Sequence, residues 1–520
     1  KFGGDWKKHK ILQETKQMNL VRKMELEQSI NSGDMPSEEK TENNNFFINF
    51  EDPNTSPVGL RGADSIENFD SYVDFTAHRT EGRSTSFLTD WAFMSHGIFQ
   101  SNEINNQNTV FSLKHVPSND RKSNAFLMGV NLQSMILGTS VLGFPFCVKI
   151  AGVWALLAIV LVGLASSATS AIIGDCQYQK SLSKPGELKR VHISFVQMSK
   201  ICMGKFGAFI MKVLVYMSLL RNVIVVILLT DLTKNILTEV GITGYDKRYL
   251  TIAWTLATIP LLFITKVSYL AWVSFIGLKL YLCALLSMLV IFCLNYDIWN
   301  FADISWTFDL EGFGIALGII INSYSVHMNL PSLEGSLKNP SHYKAASHVT
   351  FLFNNIVKVA FALFGYLTYT DTTKQEIISN VTSFKPLPVV LQIAIIFFTY
   401  FTVPMQSFVA FELIDSSFRR HFPLLGRKSW LVLTRLVFMT LALLIAILIP
   451  HFGLVVSLIG SVRGSMITLI LPAAYYVMLR THEIRTHKVV VSFGIMVFGA
   501  VAGLLGLYSS IKALIVGVNF

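Results

Sequence analysis

The sequence predicts an all-α membrane protein: eleven transmembrane helices, arranged as a five-plus-five inverted repeat with broken helices 1 and 6, plus one extra C-terminal helix. Three observations predict it. The 520 residues are 52% hydrophobic and only 15% charged, a balance that a soluble domain rarely needs. Between Asn124 and Val518, apolar runs recur that are long enough to cross a hydrocarbon core of about 30 Å, which takes about 20 helical residues. Two of those runs, at corresponding places in the two halves of the chain, are interrupted by glycine, proline and polar residues near mid-membrane.

The elements follow in order. Residues 1–120 carry 12 Lys/Arg against 18 Asp/Glu and are rich in Asn and Ser, as in Thr41-Glu42-Asn43-Asn44-Asn45. Such a segment buries too little apolar surface to offset its ordering entropy, so a disordered cytoplasmic tail is expected. Ile11–Glu27 is read as a transient helix, and Tyr72-Val73-Asp74-Phe75 has the shape of a tyrosine-based sorting signal. No cleavable signal peptide is expected, because the first apolar run begins near Asn124. Residues 121–520 are expected to form the transmembrane domain, with spans at 124–150, 152–174, 207–232, 249–265, 268–294, 312–336, 346–369, 387–413, 429–449, 452–479 and 488–516. Val191–Lys205 is amphipathic and is expected to lie on the membrane surface. The five cysteines sit in or beside apolar runs without a CxxC pair; they read as small buried side chains, with no disulfide framework and no metal site.

The whole chain has a net charge of +10 although its tail is acidic, so the membrane part is strongly basic. This pattern points to cationic cytoplasmic loops and not to nucleic acid. Lys180, Lys184, Lys189, Arg190, Lys338, Lys344, Arg419, Arg420, Arg427 and Arg480 fall on one face, whereas Asp297, Asp303, Asp309 and Glu311 fall on the other. The asymmetry predicts a cytoplasmic N-terminus and a lumenal C-terminus. Asn380-Val381-Thr382 is then a glycosylation acceptor on the lumenal side.

The first interruption reads Gly138-Thr139-Ser140-Val141-Leu142-Gly143-Phe144-Pro145; the second reads Asn322-Ser323-Tyr324-Ser325-Val326-His327-Met328-Asn329-Leu330-Pro331. Proline removes a backbone donor and disfavours helix at the preceding residue. Backbone that leaves the helix at membrane depth must find partners in protein, water or ligand. A zwitterion suits that need. Amide N–H groups near Val141, Leu142 and Gly143, at the positive end of a restarting helix, hold a carboxylate. Freed carbonyls around Ser323, Tyr324 and Ser325, with the Thr139 and Tyr324 hydroxyls, hold an ammonium. Gly138 and Gly143 let the ligand approach the backbone closely, and Ser140 lies between them in the same break. The competing reading treats the same residues as kinks and packing points.

These residues carry a resemblance. Ser323-Tyr324-Ser325 through Leu330-Pro331-Ser332-Leu333-Glu334-Gly335 resembles the sixth span of the amino acid/auxin permease family, and within it the vesicular inhibitory amino acid (GABA/glycine) transporter branch. Tyr366–Lys374, Ile449-Pro450-His451-Phe452, Gly460-Ser461, Gly138–Phe146 and Thr402–Glu412 resemble further parts of the same pattern, which covers about residues 121–518. The resemblance implies the eleven-span inverted-repeat fold, amino-acid substrates, proton or sodium coupling, a vesicular or other intracellular membrane, and no soluble cofactor. One departure is visible: that branch carries a glutamate in its third span, whereas Tyr216–Arg221 contains no carboxylate.

Ionisable residues inside spans are functional candidates because each costs at least a few kcal/mol at the membrane centre. Lys279 is read either as an ammonium that replaces the sodium ion of related carriers, or as a snorkelling or paired group. Glu334 is a gate or proton relay, or a helix-end salt bridge. His327 is a sensor of acidity or a hydrogen-bonded structural residue. Thr402 lines the ion path or bonds within the bundle. Lys358, Arg435 and Arg463 are read as interior pairing or snorkelling groups, and Arg221 as a structural partner in the bundle or a substrate clamp. The leading expectation is a proton-coupled secondary transporter of small neutral, GABA- or glycine-like amino acids, not an enzyme. The alternatives are a sodium-coupled neutral amino-acid symporter, and a sensor whose tail engages cytoplasmic partners.

Overall fold

The computed structural model describes residues 124–516, apart from 181–187, 191–193, 245, 264–266, 382–385, 419–425, 450 and 480–485. The expected tail, its transient helix and the Tyr72 motif lie outside the described residues.

The first predicted span is two helices, α1 (Ala125–Ile136) and α2 (Phe144–Ala151), joined by a 3₁₀ turn at Thr139–Gly143 and bent by 50°. Then come α3 (Val153–Cys176), two paired three-residue strands, β1 (Tyr178–Lys180) and β2 (Leu188–Arg190), and α4 (Phe195–Met217). Gly204 breaks α4 with φ 61°, a left-handed conformation that suits glycine. The amphipathic segment is thus helical from Phe195, and Phe195 packs edge-on against Tyr475, 5.4 Å between ring centroids. After a 3₁₀ turn at Ser218–Leu220 follow α5 (Arg221–Glu239), α6 (Lys247–Thr258) and α7 (Val267–Leu294). The sixth span is again divided, into α8 (Leu310–Ser323) and α9 (Leu330–Ser336) with a 3₁₀ turn at His327–Asn329. The remainder is α10 (Tyr343–Tyr369), α11 (Leu387–Phe418), α12 (Arg427–Leu448), α13 (Phe452–Ile459), α14 (Leu471–Leu479) and α15 (Thr486–Val516). Wide, π-helical turns at Gly460–Gly464 and Met466–Ile470 join α13 to α14.

Among the described residues, nine helices are long and apolar enough to cross a bilayer, and ten if α1 with α2 counts as one. The expected count of eleven is not reached at the fourth predicted span, 249–265. There α6 has 12 residues and passes into a 3₁₀ turn at Ile259–Phe263 around Pro260, which has no N–H to continue the ladder, and residues 264–266, before α7, lie outside the described residues.

Helix α8 is gripped through small residues. A side chain at Gly318 would collide with Ser457 and Ser461, one at Gly314 with Ser509 and the Leu505 carbonyl, and one at Gly460 with the Gly318 carbonyl. Close backbone approach replaces the hydrophobic drive that lipid does not supply. Asp309 caps α8 by accepting from the Glu311 and Gly312 N–H groups at 3.1 and 2.9 Å, a carboxylate at the positive end of the helix. On the other side, α10 packs along α3. Gly163 makes room for the Asn355 amide, and Ser170 meets Ser347 at 2.6 Å.

Replacing Gly460 by leucine forces α13 away from α8, and overpacking of this kind costs about 1–3 kcal/mol or more. The detergent-solubilised G460L protein should melt well below the unmodified one. G494A, at a glycine with nothing within 4 Å of an added Cβ, should melt within a degree or so of it, since such surface changes stay within about 0.5 kcal/mol. Equal melting of the two variants would contradict the packing described.

Candidate functional site

The two breaks meet in the interior. In the first, Gly138 is extended (φ −90°, ψ 176°) and Pro145 sits in the first turn of α2. In the second, Tyr324 leaves the helix at φ −97°, ψ 2° and Pro331 opens α9. The Asn322 amide of α8 donates to Ser140 Oγ at 2.8 Å, which ties one break directly to the other. Ser140, Val141, Leu142, Gly143, Ser323, Tyr324 and Ser325 are all buried, while Gly138 and Thr139 are partly exposed. The Asn322–Ser140 bond thus sets side by side the two interruptions on which the nine predicted substrate-binding residues stand. The Tyr324 hydroxyl donates to Asn355 Oδ1 of α10 at 3.0 Å, which fixes its orientation and leaves its oxygen lone pairs to accept.

Each break exposes a carbonyl, and each carbonyl finds a donor from a neighbouring helix. Tyr281 of α7 donates its hydroxyl to Gly138 O at 2.9 Å; its ring is fully buried and stacks on Phe398 of α11, 4.5 Å between centroids. Lys358 of α10 donates to Ser323 O at 3.3 Å. Its ammonium lies 3.6 Å from the centre of the Tyr324 ring and 5.6 Å from that of Phe144, so two aromatic faces carry part of the burden of its charge. Lys358 is completely buried and pairs with no carboxylate among the described residues. Asn354, Asn355 and Lys358 make one polar stripe on α10. Asn354 donates to Gln133 of α1 at 2.5 Å, and Asn355 donates to Val160 O of α3 at 3.2 Å.

The other predicted residues lie elsewhere. Lys279 is exposed on α7 and does not join the breaks; Tyr281, two positions on, does. His327 is buried in the second break, with Nε2 at 2.9 Å from Thr169 Oγ1 and 3.1 Å from Ser166 O. Glu334 pairs with Arg190 at 2.9 Å and accepts from the Tyr178 hydroxyl. Arg190 also donates to Gln177 Oε1 and to Pro331 O, so this latch ties α9 to the end of α3. Thr402 Oγ1 donates to Thr399 O, a helical turn back along α11, at 2.9 Å. Asn380 bridges its own loop, donating to Thr372 O and accepting from the Lys374 N–H, and Thr382 lies outside the described residues. Arg435 pairs with Asp415 at 3.1 Å. Lys358, Tyr281 and Arg463 were passed over as site residues. The Asn-Asn-x-x-Lys spacing in mid-span was the available signal for the first; a lone tyrosine in an apolar run gives none.

The opposite end of the bundle from Glu334 holds a second polar cluster. Residues 370–381 fold across α2, α5 and α13. Lys149 donates to Thr373 O at 3.2 Å, and Gln375 Oε1 accepts from the Gly453 N–H at 2.9 Å. Ser379 donates to Glu376 at 2.9 Å and accepts from Asn235 at 2.5 Å, and beside them Asp231 pairs with Lys247 at 2.5 Å. Burial, and then the Asp231 charge, push the Glu376 carboxyl up to about 7, while burial and Lys247 hold His451 below its ordinary range. Among the described residues no three His, Cys, Asp or Glu side chains gather as metal ligands.

A family model described as transmembrane amino acid transporter protein matches residues 121–515. Similar proteins include the vesicular inhibitory amino acid transporters of Xenopus tropicalis, 28% identical over 420 residues, covering 77% of this chain and 79% of that one. The Homo sapiens counterpart is 28% identical over 413 residues, covering 76% and 77%. The vesicular GABA transporter of Caenorhabditis elegans is 22% identical over 435 residues, covering 81% and 86%. Among solved structures, the inward facing conformation of Mhp1 shares the fold, with a TM-score of 0.52 at 12% identity over 77% of this chain and 92% of that one.

Glu376 supplies a pH test. A carboxyl whose folded pKa is raised contributes stability below its ordinary value of about 4.3, and loses it as pH rises through the folded value of about 7. His451, with a lowered pKa, acts with the opposite sign. Between pH 5 and 8 the loop 370–381 should loosen as pH rises, seen as faster limited proteolysis there. Glu376→Gln should flatten that part of the profile, and an unchanged slope would count against the assignment.

Proposed function

The chain belongs to the transmembrane amino acid transporter family, and on that footing we propose that it is a secondary active carrier of a small amino acid, coupled to protons and working by alternating access. The carrying observation is the pair of broken helices joined by Asn322 and Ser140. The amino acid lies across that junction, its carboxylate on the N–H groups of the first break and its ammonium among the carbonyls and hydroxyls of the second. The five-plus-five inverted repeat with a further C-terminal helix is the architecture this reading adopts. The membrane is vesicular or otherwise intracellular, with the N-terminus cytoplasmic, the C-terminus lumenal and Asn380 glycosylated.

Proton coupling is favoured over sodium by what occupies the freed carbonyls. Gly138 O already accepts from Tyr281, and Ser323 O from the Lys358 ammonium. A metal cation at either oxygen would share it with that donor, and at Ser323 O it would meet the like charge of Lys358. We place the coupling proton on Lys358, since Lys279 is exposed. When Lys358 gives up its proton, the charge held by the Tyr324 and Phe144 rings disappears and the grip of α10 on the second break weakens. His327 lies in the same break. The Glu334–Arg190 latch at one end and the 370–381 loop at the other are the two gates, with Thr402 on the path beside them. Alternating access requires that they not open together.

The test is uptake of a radiolabelled amino-acid panel into proteoliposomes under imposed pH and voltage gradients. Accumulation that collapses with a protonophore and ignores replacement of sodium by choline is expected; sodium dependence selects the symporter alternative. Asn322→Ala should lower uptake about tenfold, the weight of one buried hydrogen bond. Lys358→Met should abolish acid-driven accumulation in protein that still elutes as a single species. Unchanged pH-driven transport in that variant removes Lys358 from the mechanism.

A further inference from the structure

Building on the carrier reading, we infer that the transported amino acid bears a second carboxylate, received by Arg463 and Arg221. Arg463 stands on the π-helical turn Gly460–Gly464, a local widening that often marks functional positions. It is only 5% exposed. Nη1 donates to Ser325 Oγ at 3.3 Å and Nη2 to the weak acceptor Met328 Sδ at 3.6 Å, while the Nε–H is buried with no partner. A guanidinium has five donors in a planar fork, so most of this one is unspent. Arg221 opens α5 directly after the 3₁₀ turn Ser218–Leu220. It makes no hydrogen bond or ion pair with a described residue, yet lies near enough for its charge to repel that of Arg463.

Among the described residues, the carboxylates do not answer this charge. Asp175 pairs with Lys344, Asp231 with Lys247, Glu334 with Arg190 and Asp415 with Arg435. Arg463, with its buried and unpartnered Nε–H, is therefore left without a described counter-charge, and Arg221 adds a second cation near it, in a medium where unpaired charge is costly. Ser325, which Arg463 touches, belongs to the second break, so the guanidinium reaches the place the ligand occupies. A neutral amino acid carries no net charge and leaves both cations uncompensated. An amino acid with a carboxylate side chain brings one negative charge and matches the guanidinium fork with two parallel hydrogen bonds. The substrate class is thus acidic amino acids of aspartate or glutamate size, preferred over neutral amino acids of equal bulk.

The experiment is the proteoliposome panel with aspartate, glutamate, asparagine, glutamine, glycine and GABA, each in chloride and in gluconate. Acidic amino acids taken up at least about tenfold faster than their amides in both media, the discrimination expected when buried donors lose their acceptor, support the inference. Uptake of neutral amino acids alone, with no inhibition by aspartate or glutamate, overturns it and leaves the carrier reading intact. So does neutral uptake that needs chloride, since the inorganic anion would then be what the arginines hold. No uptake of any amino acid overturns both. Arg463→Gln should lower the ratio of acidic to neutral uptake at least tenfold. If that variant does not elute as a single species, Arg463→Lys, which keeps the charge but loses the fork, should lower the ratio by a smaller factor; an unchanged ratio in the folded variant also overturns the inference.

Discussion

The structure turns on an elementary rule of lipid: a backbone N–H or C=O at membrane depth needs a partner. Helices satisfy this rule internally, and twice this chain gives that up. The glycines and proline of 138–145, and the polar run and proline of 322–331, cannot hold a regular ladder. The consequences radiate outward. Tyr281 is buried against Phe398 so that its hydroxyl reaches one freed carbonyl. Lys358 is buried between two rings so that its ammonium reaches the other. Asn322 crosses from the second break to Ser140 in the first. None of these side chains would be worth its desolvation in a bundle of unbroken helices.

Rigidity around the breaks comes from small residues. Helix α8 delivers the second break to its position because Gly314 and Gly318 let α13 and α15 approach to backbone contact. The other half of the same span, α9, is held differently, by the Glu334–Arg190 pair and the Tyr178 hydroxyl. The ion pair is itself secluded, with Arg190 10% and Glu334 1% exposed, so removing one partner would also cost about 3–5 kcal/mol. The two ends of the sixth span are thus held by different physics, close backbone packing at one end and a secluded charge pair at the other. The loop 370–381 repeats this design at the far end, with hydrogen bonds from Lys149, Gln375 and Ser379 in place of apolar packing.

Charge is unevenly settled. At the margins, cations and carboxylates find each other, as Lys344 and Asp175 do at 2.6 Å. In the interior, Lys358 and Arg463 have a carbonyl, a hydroxyl and aromatic faces for company but no described carboxylate. Such a surplus is tolerated in a membrane protein where it serves an ion or a substrate. It also explains why reading these residues as snorkelling groups falls short: snorkelling needs a nearby interface, and Lys358 is completely buried.

The sequence by itself determined the helical membrane class, the family, most of the span boundaries and the two breaks, because apolar length, proline and glycine act locally and leave their mark in a window of about twenty residues. It did not show the local form of the fourth span, where a 3₁₀ turn around Pro260 follows a 12-residue helix. Nor could it say which charge reaches the break. Lys279 and Lys358 look alike in sequence, each a lone cation in an apolar run. One faces outward and the other lies against Ser323, because the rotation of each helix about its axis is set by what it packs against. Only tertiary structure decides that, and with it which helix supplies the partner for each freed backbone group.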